Sequence, residues 1–145
     1  MAKIALALLL SMGAAHSVMA LDYRSVSEAA VLFDAPSQKA KPLYVIAPGT
    51  PVEVVVNLDA WAKVRDMKGD LSWIERRQLD SRRVLQVRTG GAQVRSEAFD
   101  TAPLVFETEA DVLLEYLEPG PAGWVKVRHR DGEVGFVKVG QVWGL

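Results

Sequence analysis

The chain has 145 residues, and its 17 Lys and Arg against 18 Asp and Glu leave a formal charge of −1. That near-neutral balance lacks the basic footprint of a nucleic-acid binder. It contains no cysteine, which excludes disulfides, thiolate zinc sites and cysteine nucleophiles and leaves core burial to hold the fold together.

The N-terminus opens Met1-Ala2-Lys3 and runs into Ile4-Ala5-Leu6-Ala7-Leu8-Leu9-Leu10, then softens to end in Val18-Met19-Ala20. A charged start, a short apolar run and a small residue at the cut point predict a secretory signal peptide over residues 1–20, cleaved after Ala20. The apolar run is too short to cross a bilayer, which takes about 20 residues, and the polar chain from Leu21 does not continue it as a buried helix. The expectation is a periplasmic or secreted protein with no transmembrane segment in the mature chain. Loss of Lys3 takes the net charge to −2.

From Leu21 onward the text is β-rich, and only Ser25 to Leu32 shows a trace of helical period. Pro51 to Val56 and Val112 to Leu117 are Val-, Leu- and Tyr-rich runs bounded by turn residues, the pattern of strands. Trp124–Arg128 and Val134–Lys138 flank a turn containing Asp131-Gly132, which predicts a hairpin. Asp66-Met67-Lys68-Gly69-Asp70 takes the same place earlier, with Gly69 supplying a positive φ.

These segments form a repeat. Trp61-Ala62-Lys63-Val64-Arg65 recurs 63 residues later as Trp124-Val125-Lys126-Val127-Arg128, and the same offset maps Gly69 to Gly132, Trp73 to Phe136 and Ile74 to Val137. Upstream the offset reads nearer 60, with Val45-Ile46 against Val105-Phe106 and Val52 and Val54 against Val112 and Leu114. About three extra residues are then expected in the second copy, in the loop Glu118 to Gly123. The copies divide the chain at 21–82 and 83–145. Units of this size are individually marginal, so they are expected to pack on each other or share a strand.

Gly49-Thr50-Pro51-Val52-Glu53-Val54, the Trp-x-Lys-Val-Arg strand, a Gly-bearing turn and a following aromatic–aliphatic pair together resemble the bacterial SH3 domain family, twice over. Val94-Arg95-Ser96 is similar to the family's early V-R-S element and Gly135-Phe136-Val137 to its G-W-V element. The first copy departs, with Leu32-Phe33-Asp34 and with Ser72 before Trp73. The resemblance implies an all-β chain of two tandem SH3-like small β-barrels, each of five to six strands, in an envelope or extracellular protein. It further implies a cell-wall peptide or an envelope protein as partner. Members often accompany cell-wall enzymes, and no such enzyme is expected within these residues.

Strand alternation puts Ala62, Val64 and Ile74 on one face of the first hairpin and Trp61, Lys63, Arg65, Leu71 and Trp73 on the other. The second hairpin divides likewise, with Val125 paired to Val137, Val127 to Gly135, and Trp124, Lys126, Arg128, Val134, Phe136 and Lys138 opposite. Trp61, Trp73, Trp124 and Phe136, with Lys63 and Lys126, are the candidate ligand-binding residues, and Tyr44 and Tyr116 stand outside the set. Such rings offer large, rigid contact area. They equally serve as packing between barrels or under loops. The connector carries a basic cluster, Arg76, Arg77, Arg82, Arg83 and Arg88, whereas residues 97–118 hold seven acids and no base. The cluster is read either as an anion-binding saddle suited to carboxylates or as a strap lying on the acidic strands of the second unit.

No catalytic residues are expected. His129 is the one histidine after processing and sits in a turn, where it is expected to be solvated, far from the buried, oriented base a Ser-His-Asp triad needs. Glu107 and Glu109 read as a solvated strand edge. No metal-ligand spacing or phosphate loop is present, so no cofactor is expected. The functional expectation is an exported, non-catalytic binding protein. The alternative is an envelope assembly factor whose barrels bind only each other or a dedicated protein partner.

Overall fold

The computed structural model describes residues 20–145. The leader expected over residues 1–20 lies, but for Ala20, outside the described residues. The first unit comprises β1 (Tyr23–Val26), β2 (Ala30–Phe33), β3 (Pro42–Ile46), β4 (Pro51–Asn57), β5 (Trp61–Arg65), β6 (Leu71–Glu75) and β7 (Leu79–Asp80). The second repeats it as β8 (Val84–Val87), β9 (Ala92–Arg95), β10 (Leu104–Thr108), β11 (Leu113–Pro119), β12 (Trp124–Arg128), β13 (Val134–Lys138) and β14 (Val142–Trp143). Their spatial orders, β3-β2-β6-β5-β4-β1-β7 and β10-β9-β13-β12-β11-β8-β14, are the same path traced twice. The expected tandem all-β architecture is therefore present. Each sheet holds seven strands rather than five to six, because a 3-10 turn, Arg76–Gln78 or Val139–Gln141, leads into a two-residue strand that closes on β1 or β8.

Ser25–Leu32 is not helical. Its backbone is claimed from elsewhere: Val26 N–H donates to Thr50 O at 3.0 Å and Gly49 N–H donates to Val26 O at 2.7 Å. The segment splits into β1 and β2 around residues 27–29.

The hairpins have the expected register. Val125 faces Val137 and Val127 faces Gly135, while Ala62 faces Ile74 and Lys63 faces Trp73. Gly69 and Gly132 sit at the same turn position with the same φ of 91°, a conformation that costs glycine little.

The upstream alignment needs correction. Leu32 pairs with Tyr44, and its counterpart Val94 pairs with Phe106, so Val45-Ile46 corresponds to Glu107-Thr108. Likewise Val52 and Val54 correspond to Leu114 and Tyr116. The offset there is 62, and the loop before Trp124 carries one extra residue rather than three. The misreading moved each partner by two, which leaves every side chain on its own face and so escapes detection by alternation.

Each barrel has its own core. Val26, Leu32, Val52, Val64 and Ile74 pack in the first, and Leu85, Val87, Leu114, Val127 and Val137 in the second. Every one of these is essentially solvent-free, and burial of each such side chain stabilises by roughly 1.5–3 kcal/mol. Neither sheet borrows a strand from the other.

The barrels meet at a short junction. The chain leaves β7 at Asp80 and enters β8 at Val84. Asp80 Oδ1 accepts the Arg82 N–H at 2.9 Å, and the buried Ser25 hydroxyl donates to Arg82 O at 2.8 Å, so the connector is tied to the first barrel. Beyond it Tyr23 and Trp143 meet edge to face, centroids 5.1 Å apart. The Arg83 guanidinium lies 5.9 Å from the Tyr23 ring and 5.2 Å from Tyr116, and its Nη2 donates to Gly144 O at 2.8 Å. Its Nε is buried with no acceptor among the described residues, a cost that opposes these contacts.

Candidate functional site

Hairpin β5–β6 and hairpin β12–β13 each place a lysine over the ring directly across the ladder. Lys63 Nζ is 5.9 Å from the centroid of Trp73, and Lys126 Nζ is 5.9 Å from that of Phe136. The equality follows from the shared register, in which Lys63 faces Trp73 and Lys126 faces Phe136. Exposed pairs of this kind are worth about 0.5–1 kcal/mol, enough to orient the ammonium and too little to occlude the ring.

The tryptophans that begin β5 and β12 differ in their neighbours. Trp61 is held edge to face by Phe33 at 5.6 Å. Trp124 instead lies under Lys138 Nζ at 5.7 Å, and that ammonium also contacts Asp100 Oδ1 at 2.6 Å. The loop from Pro119 to Gly123 leans on the second face: a Cβ at Gly120 would stand 3.2 Å from the Phe136 ring. All four candidate rings, Trp61, Trp73, Trp124 and Phe136, are half-buried. None of the four makes the aromatic contact between barrels, which falls to Tyr23 and Trp143.

Trp143 was not singled out by the sequence, yet a signal existed. It occupies the position of Asp80 in the first unit, since both face the second-to-last residue of their barrel's opening strand. A polar residue in one copy and an indole in the other marks a surface that only one copy buries.

The arginine cluster is not a single connector strap. Arg76 and Arg77 belong to the first barrel, where Arg76 Nη1 donates to Leu58 O at 3.1 Å and Arg77 Nε pairs with Glu75. Arg88 belongs to the second, its Nε donating to Val142 O at 3.0 Å. Only Arg82 and Arg83 stand in the connector. Among the described residues none of the five pairs with an acid in 97–118. Glu115 and Glu118 are already taken, by Arg128 at 3.1 Å and Lys126 at 3.4 Å. The connector does touch the second unit's acidic strand, where the Arg83 guanidinium lies over Tyr116 and the Tyr116 N–H donates to Arg83 O at 3.1 Å, but no ion pair makes that contact.

His129 is partly solvated, its side chain 20% exposed: it tilts against Phe106, centroids 5.4 Å apart, with Nδ1 3.1 Å from Asp131 Oδ2. Glu107 is exposed on β10, and Glu109 lies in the turn beyond it. Among the described residues no group of three or more His, Asp or Glu side chains is placed to hold a metal ion, and no helix is long and apolar enough to cross a membrane.

Two clefts open beside the junction. One of about 340 Å³ is lined by Tyr44, Asp66, Lys68, Asp70, Gln86 and Asp111, and in it Tyr44 Oη donates to Asp66 Oδ2 at 3.0 Å. The other, about 220 Å³, is lined by Gly49, Arg82, Val84, Leu113, Glu115 and the run Arg128-His129-Arg130.

Two barrels of one topology, each presenting an aromatic–cationic hairpin face, define a tandem SH3-like module. The family model for the bacterial SH3 domain matches residues 26–81 and again 89–144. The chain belongs to the bacterial SH3 domain family, whose members are generally non-catalytic binding domains. Two solved structures from Trichomonas vaginalis are similar to it: NlpC2, at 14% identity over 88% of this chain, and NlpC1, at 18% over 95%. Each has a TM-score of 0.40. The matches take in 49% and 50% of those chains, so this chain spans about half their length. No match was found among curated proteins.

Proposed function

We propose that this protein is an exported binding protein that recognises cell-wall peptide, or an extended segment of an envelope protein, through the outer hairpin faces of its two barrels. The observation that carries this reading is the recurrence of one lysine-over-ring arrangement, Lys63 on Trp73 and Lys126 on Phe136, at equivalent half-exposed positions. Two faces on one chain also bind a repetitive polymer with an avidity neither has alone. Bacterial SH3 domains are typically cell-wall binding, which agrees with the chemistry of these faces. Export through the leader at residues 1–20 belongs to the same proposal.

A pull-down on purified peptidoglycan tests it. Trp61→Ala and Trp124→Ala are expected to lower retention while leaving the far-UV spectrum of the barrels unchanged. Undiminished retention of both variants would remove the face assignment. Quenching by iodide separates this reading from a pure assembly role, since rings on a free face are quenched and rings inside an interface are not.

A further inference from the structure

The smaller junction cleft is rich in arginine. Its lining includes three arginines, Arg82, Arg128 and Arg130, and one acid, Glu115. Arg128 and Glu115 neutralise each other, and the first barrel holds the same pair as Arg65 and Glu53 at 3.0 Å, so that pair comes with the fold. Arg82 and Arg130 are what the junction adds. Neither side chain makes a hydrogen bond or ion pair among the described residues, and both line the same small space.

Both are held from behind. Arg82 is fixed by Asp80 and Ser25 through its own backbone. Arg130 rides on a closed hairpin turn, in which His129 N–H donates to Glu133 O at 2.9 Å and Gly132 N–H to His129 O at 2.8 Å. The duplication supplies a comparison inside the molecule. The turn residues His129-Arg130 stand where the first barrel has Asp66-Met67, which line the acidic cleft instead. Arg130 thus stands where the first turn has the neutral Met67, although each turn as a whole carries one cation and two carboxylates. Gly49, Val84 and Leu113 supply the apolar part of the same lining.

We infer that this cleft is a site for the C-terminal carboxylate of a peptide, with Arg82 and Arg130 donating to the carboxylate and the last side chain resting on Val84 and Leu113. Paired guanidinium forks match a planar carboxylate. A volume of about 220 Å³ is below the roughly 300–1,000 Å³ of sites that enclose a whole small molecule, and suits one terminal residue. A bare phosphate would use the arginines and leave the apolar lining idle. The site shares only Arg128 with the outer hairpin faces, and its test uses a short soluble peptide, so it stands or falls independently of wall binding.

The test is titration of the ¹⁵N-labelled protein with N-acetylglycyl-leucine at low ionic strength, beside its C-terminal amide and inorganic phosphate. The acid is expected to shift amides of Arg82, Val84, Leu113 and Arg130. The amide should bind about tenfold more weakly or worse, as should the acid to Arg82→Gln/Arg130→Gln, by the usual cost of losing a charged hydrogen bond. Arg77→Gln should bind as the parent does, and the amide spectra report that each variant is folded. Equal binding of acid and amide, or parental affinity in the double variant, would overturn the site. Phosphate binding tighter than the peptide would overturn the peptide assignment.

Discussion

Tyr23 and Trp143, which open and close the described strands of the two barrels, meet edge to face with ring centroids 5.1 Å apart and planes at 82°. Each barrel has a closed core of its own, and this contact, with Arg83 beside it and the Ser25–Arg82 hydrogen bond, is among the links that join them. Aromatic pairs of this geometry couple by about 0.5–1.5 kcal/mol beyond the area they bury. A double-mutant cycle of Tyr23→Ala and Trp143→Ala, followed by urea unfolding, should return a coupling in that range. Strict additivity would mean that the rings touch without holding the barrels together.

Alkaline stability should carry the mark of two tyrosines. Burial raises the Tyr23 phenol above its ordinary 10.0, with the Glu53 carboxylate adding to it. Burial raises Tyr44 likewise, helped by its hydrogen bond to Asp66. Both phenols hold their protons in the folded chain beyond the pH at which the unfolded chain releases them. The stability this contributes is complete below pH 10 and is lost as pH rises through 10 toward the folded values. Unfolding midpoints measured from pH 8 to 11 should fall at the upper end, and Tyr23→Phe/Tyr44→Phe should flatten the fall. A parental slope in that variant would contradict the assignment.

The ion pair repeated in the two barrels is not equally enclosed. The Glu53 side chain is 11% exposed and Glu115 is 44% exposed. Arg65→Ala strands a nearly buried carboxylate and should cost about 1–3 kcal/mol. Arg128→Ala frees an exposed one and should cost under about 1 kcal/mol. Chemical denaturation of the two variants decides it, and equal costs would show that the difference in enclosure has no energetic consequence.

Gly135 tests why the copies have diverged. A Cβ there would stand 2.6 Å from both Arg95 O and Val94 Cγ1, although the first barrel carries buried Ser72 at the matching place. Gly135→Ser should destabilise by roughly 1–3 kcal/mol through overpacking, read as a lowered thermal midpoint. A neutral outcome would mean that β9 moves aside freely.

The hairpins were legible residue by residue because Asp131-Gly132 and Gly69 fix the turns, and a fixed turn fixes every pair behind it. The strands upstream were legible only in kind. Val45, Val52 and Val54 pair plausibly at more than one even offset, and alternation cannot tell an offset of 60 from one of 62. The outer-face set came from the same alternation, and Lys63 with Trp73 and Lys126 with Phe136 do meet across their ladders. The junction was not legible, because Tyr23, Trp143 and Arg82 are far apart in sequence and come together only through the sheet edges. Counting charges over 76–88 gathered arginines that the fold distributes over two barrels and a short connector.

Binding by the outer hairpin faces is measured most directly by co-sedimentation with purified peptidoglycan. Trp73→Ala/Phe136→Ala removes the ring beneath Lys63 and the ring beneath Lys126 while sparing both cores. The parent protein should pellet with the polymer and this variant should stay largely in the supernatant, with the thermal unfolding of both remaining cooperative. Equal pelleting of the two proteins, or a parent protein that ignores the polymer altogether, would contradict the account.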